Sequence, residues 1–224
     1  MVLPVVLSVV LLVWSVVANL VIGETGYVPR NLAATGLLLL VAWKAQLRPG
    51  ELGLARAKVT SGLRWGAVAV AVVAAVLTIG LLLGDAIGPL AGLFDDERAN
   101  MGAGAVATNA LLRIPLGTVV FEEVAFRGVL LAAFARVCST RSAMLWSAAV
   151  FGVWHIPPTM ASLDVNGMSA LTGSGVLAVV GGVVITAVGG WLFAWLRVRS
   201  GSLLAPMLAH VATNSLGLTA AAVS

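Results

Sequence analysis

The chain has 224 residues, of which 60% are hydrophobic and 10% charged, and its mean hydropathy is +1.07. Soluble domains carry about 25% charged residues, so the composition excludes an ordinary soluble protein and points to the membrane class. The net charge of +4 and the pI near 10.2 do not indicate nucleic-acid binding, because the basic residues are spread over short connectors rather than gathered on one face.

A spanning helix needs about 20 mostly apolar residues. Seven segments meet or approach this, roughly Val2–Ile22, Tyr27–Trp43, Trp65–Leu83, Leu111–Val137, Ala143–Ile156, Ser174–Leu196 and Ser202–Val223. They predict an all-α, polytopic bundle of about seven spans, six to eight being compatible, with its active site inside the bundle. The first segment lacks a basic n-region, and its apolar run exceeds the 7–15 residues or so of a signal peptide. It is expected to be a retained span. The second and fifth are short. The fourth carries Glu122, Glu123 and Arg127 within its apolar stretch. Between the third and fourth, Gly84 to Ala110 has room for an interfacial helix or part of an eighth span. No linker or repeat separates independent domains. The chain is expected to divide into N-terminal helices with an acidic connector (1–110) and a catalytic helix core (111–224).

The connectors alternate in charge. Lys44, Arg48, Arg56, Lys58 and Arg64, then Arg136 and Arg141, then Arg197 and Arg199 share their side with one acid, Glu51. The opposite set holds Glu24, Asp85, Asp95, Asp96, Glu97 and Asp164, with Arg30, Arg98 and Arg113. The positive-inside rule then places the N-terminus inside and the C-terminus outside. In the sixth span Gly182, Thr186, Gly190 and Ala194 recur every four residues, a spacing that lets helices pack closely. The one cysteine, Cys138, excludes an internal disulfide and reads as a small filler near a helix end.

Ionisable groups in a bilayer core cost about 2.5–3.5 kcal/mol each. They are retained when they pair, line water or do work. Glu123 and Arg127 are four apart on one helix face and can pair. Glu122 is turned about 100° from Glu123 and has no such local partner. A second carboxylate beside the pair adds desolvation cost and repulsion, a setting suited to general acid–base work. His155 lies four residues after Phe151 and just before Pro157 and Pro158, which end or kink the helix. His210 and Asn214 are four apart on the last span. The chain has only two histidines, and both fall within apolar spans. Each is expected about midway along its span, as is Glu122, so three helices could bring a carboxylate, two imidazoles and an amide to one depth. A carboxylate and an imidazole can deprotonate water, and an imidazole and a carboxamide can donate to an oxyanion.

These motifs, Glu122-Glu123-Val124-Ala125-Phe126-Arg127, Phe151-Gly152-Val153-Trp154-His155 and His210-Val211-Ala212-Thr213-Asn214, resemble in order those of the CPBP family. This family comprises the type II CAAX prenyl proteases and bacteriocin-processing or immunity proteins, also called the Abi family. The stretch Arg199-Ser200-Gly201-Ser202-Leu203-Leu204-Ala205-Pro206 is similar too. The resemblance covers about Ala110 to Leu218, and each motif alone is weak. It implies an intramembrane endopeptidase in which Glu122 and His155 activate water, His210 and Asn214 stabilise the oxyanion, and Glu123 and Arg127 support the site.

One Glu and two His could also form a zinc site with an open position for water, through Glu122, His155 and His210. No His-Glu-x-x-His signature is present, and a cofactor-free glutamate mechanism is preferred. The Ala-, Val- and Leu-rich composition suggests a bacterial cytoplasmic membrane. There a leader peptide or membrane protein is the expected substrate, and a lipid-modified one entering sideways remains open. Two other functions would use the same residues: a proton-coupled transporter, although no repeat pairs the two halves, and a non-catalytic membrane scaffold or immunity factor.

Overall fold

A computed structural model describes residues 2–84 and 97–224. Among the described residues every regular element is helical. Helix α1 spans Val2–Ile22 and α2 spans Tyr27–Lys44; α3 is the short Pro49–Leu52 turn, and α4 spans Val59–Gly84. A 3-10 turn at Glu97–Ala99 precedes α5, which runs over 103–135. Then follow α6 (Thr140–Trp154), α7 (Ile156–Val165), α8 (Gly173–Ser200) and α9, over 204–221. All seven predicted apolar segments are therefore helical. Of the Gly84–Ala110 connector, residues 85–96 with Asp85, Asp95 and Asp96 lie outside the described residues, and the rest includes the Glu97–Ala99 turn and the start of α5.

Three runs are long and apolar enough to cross a membrane: Val2–Ile22, Pro49–Gly84 and Gly173–Ser200. In the second, α3 and the following turn form a connector, and the apolar stretch lies in α4. Helices α4 and α8 bury little of themselves and present Val68, Val72, Val76, Ile79 and Leu82, and Leu177 and Ile185, outward. In water, apolar faces of this extent would drive association; hydrocarbon satisfies them.

Helix α5 is the opposite case. From Phe121 to Ala133 every residue is buried, so this stretch is the axis of the bundle. It alternates α and π geometry, with π segments at Asn109–Val119 and Glu123–Leu130. Such segments shift the i→i+4 ladder and are frequent at functional sites. Side chains from neighbouring helices donate to carbonyls within them. Asn31 Nδ2 of α2 reaches Gly117 O at 2.8 Å, Ser147 Oγ of α6 reaches Phe126 O at 2.8 Å, and Ser215 Oγ of α9 reaches Ala110 O at 2.7 Å. These buried bonds fix the rotation of α5 relative to its neighbours, because a buried polar group left unpaired is costly.

The described members of the two charged sets make separate contacts. In the basic set Arg136 donates to Ala45 O and Gln46 O and takes both Glu51 oxygens, at 2.7 and 2.8 Å. Its guanidinium holds the Glu51 carboxyl down at about 2. Arg197 donates to Gly50 O and Glu51 O, capping α3, and lies against Gly53, whose φ of +79° and lack of a Cβ leave it room. In the other set Arg113 pairs with Glu24, and Glu97 N donates to Asn166 Oδ1 at 3.2 Å.

The four-residue stripe of α8 packs inward. Gly182 faces Thr159, Gly190 faces Phe151 and Ala148, and Ala194 is fully buried. Cys138 is partly buried, with its Sγ 3.2 Å from Phe134 O, which agrees with a filler.

Candidate active site

The middle of α5, the end of α6 and the first half of α9 meet at a buried polar cluster. Glu122, Glu123, Arg127 and His210 are each at most 4% exposed. The expected pair forms, with Arg127 Nη1 2.9 Å from Glu123 Oε1. The same Glu123 oxygen also receives His210 Nδ1, at 2.8 Å. Glu122 Oε2 lies 3.7 Å from His210 Nε2 and has no hydrogen-bond partner among the described residues. The 100° step between adjacent carboxylates thus sends one to each nitrogen of a single ring.

His155 sits beside this cluster. It caps α6, whose helix stops at Trp154 and restarts at Ile156 with Pro157 in its first turn. The ring is therefore at a helix junction, not midway along a span as the sequence suggested, because the prolines break the backbone ladder immediately after it. Its Nδ1 is 2.8 Å from Phe151 O. A carbonyl only accepts, so Nδ1 carries the proton, and Nε2 has no hydrogen-bond partner among the described residues. Ser15 Oγ of α1 donates to Trp154 O at 2.6 Å and secures the broken helix end. Glu122, Arg127 and His210 are all close enough to act electrostatically on His155.

An aromatic wall surrounds the cluster. Phe151 lies edge-on to His155 at 4.4 Å and to Phe126 at 4.9 Å. The Arg127 guanidinium is 3.9 Å from the Phe151 ring centre and 5.1 Å from that of Phe193. Phe193 also stacks on His210 at 5.0 Å. Sequence reasoning did not single out Phe193, since one aromatic in an apolar span gives no local signal. It also missed the Glu123–His210 bond, which joins residues 87 apart.

Asn214 lies one turn beyond His210, partly buried, where α9 turns π-helical over Ala212–Leu216. Its Oδ1 is 3.4 Å from Thr213 Oγ1, and no hydrogen bond among the described residues links it to Glu122, His155 or His210. The structure thus joins Glu122, Glu123, Arg127 and His210 directly, sets His155 alongside, and leaves Asn214 a turn away. Among the described residues no group of three or more His, Cys, Asp or Glu side chains is arranged so that it could hold a metal ion.

Fold and site together define a helical membrane protein with a buried carboxylate–imidazole centre. The family model described as Type II CAAX prenyl endopeptidase Rce1-like matches residues 105–216, half of the chain, and the protein belongs to this family. The matched segment runs from Ala105 in α5 to Leu216 in α9, and with it takes in every residue of the cluster. The protein is accordingly an integral membrane protein of a CAAX-type protease family. No curated protein and no solved structure matches the chain.

Proposed function

We propose that the chain is an intramembrane endopeptidase that hydrolyses peptide bonds with water activated by Glu122 and His155. The observation that carries this reading is the buried Glu122 Oε2, without a hydrogen-bond partner among the described residues and 3.7 Å from His210 Nε2. An unsatisfied buried oxygen is expensive unless it has a task. In the reaction, Glu122 and Nε2 of His155 hold a water, and Glu122 takes its proton as the oxygen attacks the substrate carbonyl carbon. The oxyanion accepts hydrogen bonds from Asn214 Nδ2 and from His210 Nε2. The latter can donate when the ring carries both protons, with Glu123 offsetting its charge. Glu122 then returns the proton to the leaving amine as the C–N bond breaks.

No step is assigned to a metal. Metal analysis of purified, active protein checks this: a stoichiometric metal whose removal stops turnover would overturn the metal-free version.

The alternation of charge between connectors supports seven spans, with the N-terminus inside the cytoplasmic membrane of a bacterium. The substrate class we favour is a leader peptide or membrane protein, reached laterally from the bilayer. Comparing the proteome of membranes holding the wild-type and Glu122→Gln proteins tests this. Accumulation of uncleaved substrate in the variant is expected. A variant that instead loses proton-coupled flux would indicate a transporter, and one that keeps its phenotype a scaffold.

A further inference from the structure

The two histidines differ in what stands behind them. His155 Nδ1 is backed by a neutral backbone carbonyl, Phe151 O. His210 Nδ1 is backed by a carboxylate, Glu123, that is itself anchored by Arg127 at 2.9 Å. The Arg127 guanidinium lies between the rings of Phe151 and Phe193, and Phe193 covers the face of His210. Gly190 allows this close approach: a Cβ there would stand 2.9 Å from Phe151 Cδ1 and 3.3 Å from Arg127 Nη2. Glu123 is fully buried, so no solvent competes for its oxygen.

We infer that Glu123, seated by Arg127 and Phe193, is a positioning residue that fixes the ring orientation of His210 and keeps a proton on its Nδ1, so that Nε2 is the nitrogen presented to Glu122. The carboxylate paired with Arg127 can only accept a hydrogen bond, which leaves the Nδ1 proton on the ring. The stacked Phe193 restricts rotation of the ring about its long axis. Only Nε2 then remains to meet a reacting group. Catalytic histidines elsewhere rely on the same device, and converting such a tautomer-fixing carboxylate to its amide costs up to about 10⁴-fold in kcat. On this basis Glu123 and Arg127 serve the chemistry as well as the fold. The catalytic consequence rests on the hydrolytic function proposed above; the ring geometry does not.

The presence of only two histidines makes a direct test practical. The full chain is labelled with ¹⁵N-histidine, reconstituted in lipid nanodiscs, and its four ring nitrogens are assigned with a His155→Gln variant. His210 is expected to carry a proton on Nδ1. Glu123→Gln and Phe193→Leu should each move the His210 resonances and leave those of His155 in place. A His210 ring protonated on Nε2 alone, or His210 signals unmoved in Glu123→Gln, would overturn the inference. If Glu123→Gln fails to fold, the wild-type tautomer decides. The spectra read the ring and not cleavage. A protein with this ring pattern and no peptidase activity would therefore defeat the hydrolytic reading and leave the positioning intact.

Discussion

Helices α4 and α8 and the central stretch of α5 are built from similar apolar residues and do opposite things. The α4 and α8 runs are long and apolar enough to cross a membrane and leave most of their side chains facing outward. The α5 stretch is buried on every side and carries the charges. The helices that hydropathy finds most easily are those with the least chemistry. The reason is energetic: a lipid-facing helix can be uniformly apolar, whereas a helix at the axis can hold ionised groups because its neighbours pair them.

Substitutions at the axis and at the rim should separate these two regimes. The largest effect is expected from Glu122→Gln. It keeps size and shape, so the protein should fold, while peptidase turnover falls by roughly 10²–10⁴-fold. His155→Ala and His210→Ala should each abolish cleavage as well. Wild-type turnover by either purified variant would break the assignment.

Arg127→Ala removes one partner of a buried pair and leaves Glu123 uncompensated. Such losses cost about 3–5 kcal/mol, and folded yield and thermal unfolding should both drop sharply. Gly190→Val forces a branched side chain against Phe151 and Arg127. Overpacking of this kind costs about 1–3 kcal/mol, readable as a lower Tm.

At the rim, Glu51 is held down at about 2 by Arg136. A carboxyl depressed below its unfolded value stabilises the fold above that value and loses this contribution as pH falls through the folded one. The Glu51–Arg136 contribution should therefore be full above about pH 4.5 and fade toward pH 2. Comparing the Tm of wild-type and Glu51→Gln proteins across this window checks it: the gap between them should close as the pH drops. Smallest of all, Val72→Ala on the outward face of α4 should change stability by less than about 0.5 kcal/mol. A large loss there would show that α4 packs against something other than lipid.

Much of this was legible in the chain. The seven helical segments follow from runs of apolar residues, and the Glu123–Arg127 pair from a spacing of four. Both are local properties, set by helix geometry and side-chain transfer energy. Glu122, Glu123, Arg127 and His210 were selected as charged or polar groups where an apolar span should have none, and they do come together. His155 was selected too, and Pro157 and Pro158 marked the helix break just beyond it; its expected place midway along a span was not met.

The sequence by itself determined which segments are helical and which side chains are too polar to be idle in hydrocarbon, because both follow from near neighbours along the chain. Tertiary structure alone decided that two adjacent carboxylates flank one imidazole, that Phe193 covers that ring, and that α5 winds through π turns whose carbonyls bind three other helices. These outcomes depend on the rotation and offset of helices far apart in sequence. That rotation is set by the joint packing of all their faces, which no local pattern encodes.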